Sequence, residues 1–126
     1  MKKIKYTWQE FDKDSKNIAK KFMPYKSMIR DVYGVPRGGL VLAVKLAHLL
    51  NKPVLMEKRK IGRFTLVCDE ISDTGKKLRQ TLTDKKYKVF GITTIFKRED
   101  NKFDKIDYFV KVKKINNWID FPWENE

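Results

Sequence analysis

One segment of the chain, residues 64–78, constrains the fold more than any other. It reads Phe-Thr-Leu-Val-Cys-Asp-Glu-Ile-Ser-Asp-Thr-Gly-Lys-Lys-Leu. Its apolar run predicts a buried strand over residues 65–68 that ends at two adjacent carboxylates, Asp69 and Glu70. A helix is expected to follow over residues 75–83. A strand that passes through paired acids into a helix is typical of an α/β protein.

The polar part of this segment suits a phosphorylated sugar. The carboxylates of Asp69 and Glu70 can accept hydrogen bonds from sugar hydroxyls or hold a hydrated metal ion. Backbone N–H groups around Thr74, Gly75 and Lys76, where the helix begins, can bind a phosphate. Asp and Thr-Gly are also ordinary turn residues, so the alternative for the Asp-Thr-Gly triplet alone is a polar turn.

Strand and helix patterns alternate along the rest of the chain. Further strands are expected at residues 28–34, 54–57, 88–96 and 108–112, and helices at residues 8–23 and 38–50. This alternation predicts an α/β fold with a mostly parallel, twisted sheet flanked by helices on both faces. Ligands of such sheets bind beyond the carboxyl ends of the strands. With 126 residues and no linker, the chain is predicted to form a single domain, residues 1–126.

The composition limits the classes of partner. The formal charge is +13, from 29 Lys and Arg against 16 Asp and Glu, which favours anionic partners. A phosphate-rich small substrate ranks first, a general lysine bias second and nucleic acid third, because no aromatic–basic alternation or zinc-finger spacing is present. No signal peptide or membrane-spanning run is expected. The lone cysteine, Cys68, is interpreted as a core residue and fits a cytoplasmic location.

Three segments in a fixed order resemble the type I phosphoribosyltransferases. Residues 64–78 resemble their motif for binding phosphoribosyl pyrophosphate, and residues 34–40, Gly-Val-Pro-Arg-Gly-Gly-Leu, resemble their pyrophosphate loop. Residues 118–124, Trp-Ile-Asp-Phe-Pro-Trp-Glu, resemble the base-binding hood of the 6-oxopurine branch. The resemblance spans residues 7–124, and it implies the family's fold with a small C-terminal hood within residues 97–126.

The resemblance implies roles for two groups of residues. The phosphoribosyl group and its 5′-phosphate would be bound by Asp69, Glu70, Ser72, Asp73, Thr74, Gly75, Lys76 and Lys77. The pyrophosphate would be bound by Pro36, Arg37, Gly38 and Gly39. In the family the peptide bond before the residue matching Arg37 is often cis. The cofactor implied is Mg²⁺, held by Asp69, Glu70 and Glu124.

The resemblance also implies how the purine base is selected. Asp73 would act as the proton acceptor near N7, and with Asp69 and Glu70 it makes up the catalytic set. Lys97 would donate to the oxygen at position 6, since an ammonium can only donate. Trp118 would stack on the base and the backbone of Ile119 would contact the base edge.

Two departures from the family pattern leave two functions open. Family members place a long loop over the site, whereas only residues 58–64 fill that gap here, and Lys77 stands where the family often has Thr or Ser. The implied function is a purine salvage transferase that uses phosphoribosyl pyrophosphate and a 6-oxopurine base, as a homodimer or homotetramer. The alternative is a regulatory protein that binds nucleotide or phosphoribosyl pyrophosphate with little catalysis.

Overall fold

A computed structural model describes residues 1–82 and 88–124 of the chain. The strands are β1 (Lys2–Lys5), β2 (Asp31–Gly34), β3 (Thr65–Ser72), β4 (Gly91–Arg98), β5 (Tyr108–Lys113) and β6 (Asn117–Asp120). The α-helices are α1 (Trp8–Phe22), α2 (Gly38–Leu50) and α3 (Lys76–Leu82). Short 3-10 helices are formed by Met23–Met28, Lys58–Lys60 and Pro122–Glu124.

The main sheet has the order β2-β3-β4-β5, and each neighbouring pair is parallel. Helices α1 and α2 pack on one face, where Ile18 and Leu46 join the buried cluster of that side. Helix α3 covers the other face, where Leu78 packs with Val67 and Ile92. The predicted α/β class, with a mostly parallel sheet and helices on both faces, is confirmed. Among the described residues, no helix is long and apolar enough to span a membrane.

Several element boundaries differ from those expected. Strand β2 is short because Met23–Met28 forms a 3-10 helix and Asp31 begins the strand, buried and accepting a 2.7 Å hydrogen bond from Thr65 Oγ1. The strand expected at residues 54–57 is reduced to one parallel bridge between Val32 and Val54. The helix expected to reach Thr83 is described only to Leu82, since Thr83 lies outside the described residues.

Strand β3 does not end at Cys68. It continues to Ser72, because β4 keeps pairing with it as far as Ser72 and Lys97. Strand β2 stops pairing earlier, at Gly34 and Cys68. The two acids Asp69 and Glu70 therefore lie within a strand, at the step where the neighbour on one side has ended.

A small second sheet forms the hood. Strands β1 and β6 pair in parallel, with Ile4 opposite Ile119, so both ends of the chain contribute to it. The ring of Tyr6 lies 5.3 Å from that of Phe96 and 5.5 Å from that of Phe121, in edge-to-face contacts. These contacts fasten the hood onto the carboxyl end of β4. Residues 125 and 126 of the predicted hood lie outside the described residues.

Candidate functional site

The glycine loop after β2 lies directly against the paired acids. A Cβ atom at Gly38 would overlap the Glu70 carboxylate, and one at Gly39 would lie 3.1 Å from Asp69 Oδ1. Only glycine allows the backbone to approach this closely. The predicted pyrophosphate loop and the predicted carboxylate pair therefore form neighbouring parts of one surface. The Pro36–Arg37 peptide bond is cis, as the family pattern implied.

Asp69 and Glu70 are buried with unused acceptor capacity. Asp69 is 0% and Glu70 is 5% exposed, and neither Asp69 Oδ2 nor Glu70 Oε1 has a hydrogen-bond partner among the described residues. The ammonium of Lys77 lies 3.9 Å from Asp69 Oδ2, which is too long for a hydrogen bond. Buried polar atoms are normally satisfied, so these two oxygens point to a ligand or cation that supplies the missing contacts.

Burial changes the proton affinity of this pair. It raises the pKa of Asp69 well above its ordinary range, and the adjacent Glu70 carboxyl adds to the effect. A cation would offset both causes, because it compensates desolvation and separates the two like charges. Carboxylate oxygens are the ligands that Mg²⁺ prefers, and Mg²⁺ is commonly completed by substrate phosphates and water. The described residues contain no cluster of three or more metal-ligating side chains, so a substrate would have to complete such a site.

A cavity of about 510 Å³ opens beside the acids. Its wall is formed by Asp69, Glu70, Ile71, Ser72, Asp73, Thr74, Gly75, Lys76, Lys77, Leu78, Arg98, Lys113, Trp118, Ile119, Phe121 and Glu124. All eight residues predicted to bind the phosphoribosyl group belong to this wall, together with Trp118, Ile119 and Glu124 from the hood. The structure thus brings three separate parts of the chain to one cavity.

Two groups of predicted site residues do not line this cavity. Residues 36–39 meet it only through their contact with the paired acids. Lys97 is absent from the cavity wall, and its ammonium lies 5.2 Å from the centre of the Phe109 ring. Their roles in binding stay predictions.

Arg98 and Lys113 line the cavity although the sequence did not single them out. Lys113 is 7% exposed, and its ammonium donates a 2.9 Å hydrogen bond to Asp73 Oδ1. Arg98 pairs with Asp100, and that contact, before any other, raises the pKa of the guanidinium. The cavity wall therefore carries cationic groups as well as carboxylates. One signal in the sequence could have identified Lys113: it directly follows the last predicted strand, residues 108–112.

A neighbouring loop holds the phosphate-binding motif in place. The amide nitrogen of Asn101 lies within 2.9 Å of the carbonyl oxygens of Ser72 and Asp73 and within 2.8 Å of the Ser72 hydroxyl. Gly75 has a φ of +86°, and a Cβ there would overlap the side chain of Phe103. This motif is therefore shaped by tertiary contacts as well as by its own sequence.

The hood covers the far side of the cavity. Trp118 is 51% exposed on this wall, whereas its neighbour Ile119 contributes to the wall but is largely buried. Phe121 lines the cavity and stacks on Trp123, with ring centres 4.9 Å apart. An exposed indole beside an acid-rich cavity is suited to stacking on a flat aromatic ligand.

The segment at residues 58–64 does not form a lid. Lys58–Lys60 is a 3-10 helix, Ile61 is fully buried, and Gly62 accepts a 3.0 Å hydrogen bond from the backbone of Thr65. Ile61 packs with Val67 in the core of the α3 face. A segment this short and this firmly packed leaves the cavity open to solvent on the described surface.

Cys68 is a core residue, as its sequence context indicated. It is fully buried, and burial raises the pKa of its thiol well above the ordinary range. A thiol with a raised pKa is a poor nucleophile. The chemistry of the cavity therefore belongs to carboxylates, ammonium groups and backbone amides.

Comparison with known proteins finds solved structures that are similar over nearly the whole chain. No protein-family model matches the sequence. A purine phosphoribosyltransferase from Pyrococcus horikoshii Ot3 is 27% identical, with a TM-score of 0.81 over 100% of this chain and 97% of that one. A xanthine-guanine-hypoxanthine phosphoribosyltransferase from Helicobacter pylori is 25% identical, with a TM-score of 0.78 over 97% and 93% of the two chains.

A third similar structure has a different description. It is a hypothetical protein from Neisseria gonorrhoeae with bound ppGpp, 18% identical, with a TM-score of 0.74 over 98% of this chain and 90% of that one. At this identity the likeness shows the fold alone.

Proposed function

We propose that this chain is a type I phosphoribosyltransferase of the 6-oxopurine branch, and we infer its reaction from that assignment. It transfers the 5-phosphoribosyl group of phosphoribosyl pyrophosphate to N9 of hypoxanthine, guanine or xanthine, and releases pyrophosphate. One observation carries the proposal: the acids of β3, the motif at residues 72–77 and the hood residues Trp118 and Ile119 share one cavity.

Different residues of the site bind different parts of the substrates. The loop at Thr74, Gly75 and Lys76 binds the 5′-phosphate, and Asp69 and Glu70 accept hydrogen bonds from the ribose hydroxyls. The glycine loop at residues 36–39 receives the pyrophosphate, with the charge of Arg37. Trp118 stacks on the base.

The reaction needs no covalent nucleophile. The N9–C1′ bond forms as the bond from C1′ to the pyrophosphate oxygen breaks, and the electron pair leaves with pyrophosphate. Asp73 accepts the proton from N7 of the base, so N9 can share its lone pair. Positioning of N9 against C1′ accounts for much of the rate. Asp69 and Glu70 would hold Mg²⁺ together with oxygens of the substrate, and the ion would supply positive charge that stabilises the leaving group. Glu124, the third ligand that the resemblance implies, lines the same cavity but forms no three-carboxylate cluster with them among the described residues.

A second function is favoured by the packed segment at residues 58–64. Without a lid, water reaches the cavity, and a reacting ribosyl cation exposed to water is open to hydrolysis. A protein that binds nucleotide or phosphoribosyl pyrophosphate in this cavity and turns it over slowly fits the same geometry. Assembly into a homodimer or homotetramer, with a neighbouring subunit covering the cavity, would restore the enclosure.

The deciding experiment measures pyrophosphate release with Mg²⁺ and phosphoribosyl pyrophosphate, in separate reactions with hypoxanthine, guanine, xanthine and adenine. Turnover with at least one of the first three bases and not with adenine supports the transferase. Absence of turnover, together with calorimetric binding of inosine monophosphate, supports the binding protein. Absence of both overturns the proposed function. Size-exclusion chromatography with light scattering on the same sample tests the assembly.

A further inference from the structure

Of the two basic residues Lys97 and Arg98, only Arg98 lines the cavity. They are consecutive in β4, and consecutive side chains of a strand point to opposite faces. Arg98 lines the cavity and Lys97 lies over the ring of Phe109. The register of β4 with β5 places Lys113 next to Arg98, and Lys113 lines the cavity too. The cation nearest Asp73 therefore comes from β5.

The Lys113 ammonium donates a hydrogen bond to the Asp73 carboxylate. The two charged groups are 2.9 Å apart, and the Lys113 side chain is 7% exposed while that of Asp73 is 44% exposed. An ammonium has three N–H donors, and Asp73 Oδ1 takes one of them. The contacts given by the described residues leave the other two for a ligand in the cavity. Asp73 likewise keeps Oδ2 for a proton donor.

We propose that Lys113, rather than Lys97, selects the oxygen at position 6 of the purine, acting beside Asp73. The inference rests on the proposed function and names the residue that sets its base specificity. In a 6-oxopurine, O6 and N7 are neighbours on one edge of the base. Lys113 donates to O6 while Asp73 accepts the proton on N7.

The same pair rejects a 6-aminopurine. Adenine presents an amino group where hypoxanthine presents O6, so two donors would meet at the Lys113 ammonium. A donor left unpaired in a half-buried site costs binding free energy. Sites built to hydrogen-bond one substrate group discriminate strongly against an analogue that lacks it. Lys97 is not among the residues that line the cavity.

The test compares matched Lys→Met variants at three positions, with kcat/KM measured for hypoxanthine and adenine. We expect Lys113→Met to lower kcat/KM for hypoxanthine by roughly 10- to 100-fold. The ratio of kcat/KM for hypoxanthine to kcat/KM for adenine should fall by a similar factor. Lys114→Met is the control. Lys114 is exposed and adjacent to Lys113, so its substitution removes the same charge from the same part of the chain. Lys97→Met tests the competing assignment.

A second variant covers the case in which Lys113→Met does not fold. Lys113→Gln carries an amide that can accept from the adenine amino group as well as donate, so it should raise relative activity with adenine. A purely structural role would not produce that gain. Collapse of base discrimination in Lys97→Met, with discrimination intact in both Lys113 variants, would overturn this inference and leave the transferase function standing. No turnover by the native protein with any base would overturn the proposed function and this inference together.

Discussion

The side-chain amide of Asn101 donates a 2.8 Å hydrogen bond to the carbonyl oxygen of Asp73. The same nitrogen is within hydrogen-bond distance of the carbonyl and hydroxyl oxygens of Ser72, and Asn101 Oδ1 accepts from the backbone N–H of Phe103. Asn101 lies outside the cavity wall, on the loop that follows β4. It is therefore a positioning residue, which fixes the backbone that carries Asp73.

Asn101→Asp tests this role with almost no change of shape. The carboxylate keeps an acceptor for Phe103 but cannot donate, so it faces the carbonyl oxygens of Ser72 and Asp73 with repulsion. We expect a loss of about 1–3 kcal/mol of stability and a KM for phosphoribosyl pyrophosphate that rises more than kcat falls. Melting curves and steady-state kinetics measure both. Asn116→Asp, on an exposed residue, is the matched control. An unchanged KM for phosphoribosyl pyrophosphate in a folded Asn101→Asp protein would show that the hydrogen bonds donated by Asn101 are not needed to position the loop.

Asp73→Asn removes the proton acceptor while keeping the side chain's size. We expect kcat to fall by roughly 10²- to 10⁴-fold, the usual contribution of a general base. Binding of phosphoribosyl pyrophosphate, measured by calorimetry, should be retained because the phosphate loop is intact. Asp104→Asn, on an exposed residue, should behave like the native protein. A native-like rate for Asp73→Asn would refute the proton-acceptor role.

The site residues around β3 are well predicted because the sequence pattern that identifies them lies within one short segment of the chain. A buried parallel strand is a continuous apolar run, and residues 65–68 have that pattern. The site residues from Asp69 to Lys77 are nearly consecutive, so one strand and one loop carry them to the same cavity. The strand boundary was less predictable, because its extension to Ser72 depends on pairing with β4.

Other features depend on partners that the local sequence does not reveal. The face to which Lys97 points is set by the register of β4, and a shift of one residue reverses it. Strand β1 contains a single apolar residue, Ile4, and it forms because β6 pairs with it from the far end of the chain. Helix α2 is apolar nearly all round, so its composition does not identify its buried side: Val44 is 46% exposed, whereas Leu42 and Leu46 are buried.

Asp69→Asn should stabilise the protein and inactivate it. In the unfolded chain Asp69 ionises near its ordinary pKa of 3.8, whereas burial raises the pKa in the folded protein. The folded protein then holds the proton longer, so stability falls as the pH rises from about 4 through the raised pKa. Asparagine cannot ionise and avoids this loss.

Melting in metal-free buffer measures the effect. At pH 7 we expect the Tm of Asp69→Asn to exceed that of the native protein, by about 4 °C for each kcal/mol relieved. The difference should shrink toward pH 4, where the native carboxyl group is protonated in the folded protein. The exposed control Asp104→Asn should show no such gain. A lower Tm for Asp69→Asn at pH 7 would mean that Lys77 stabilises the ionised carboxylate more than burial destabilises it.

Gly75→Ala should damage the phosphate loop through two separate effects. The φ of +86° costs an L-residue roughly 1–2 kcal/mol, and the new Cβ would overlap the side chain of Phe103. We expect the Tm to fall by about 4 °C for each kcal/mol lost and the affinity for phosphoribosyl pyrophosphate to weaken, because the loop must shift. Gly62→Ala is the matched control, since the nearest atom to a Cβ there is the Arg30 guanidinium at 3.5 Å. Native-like melting and affinity in Gly75→Ala would show that the loop adopts another conformation in solution. Reduced affinity for phosphoribosyl pyrophosphate with an unchanged Tm would instead show that the substitution perturbs the binding site without lowering the stability of the fold.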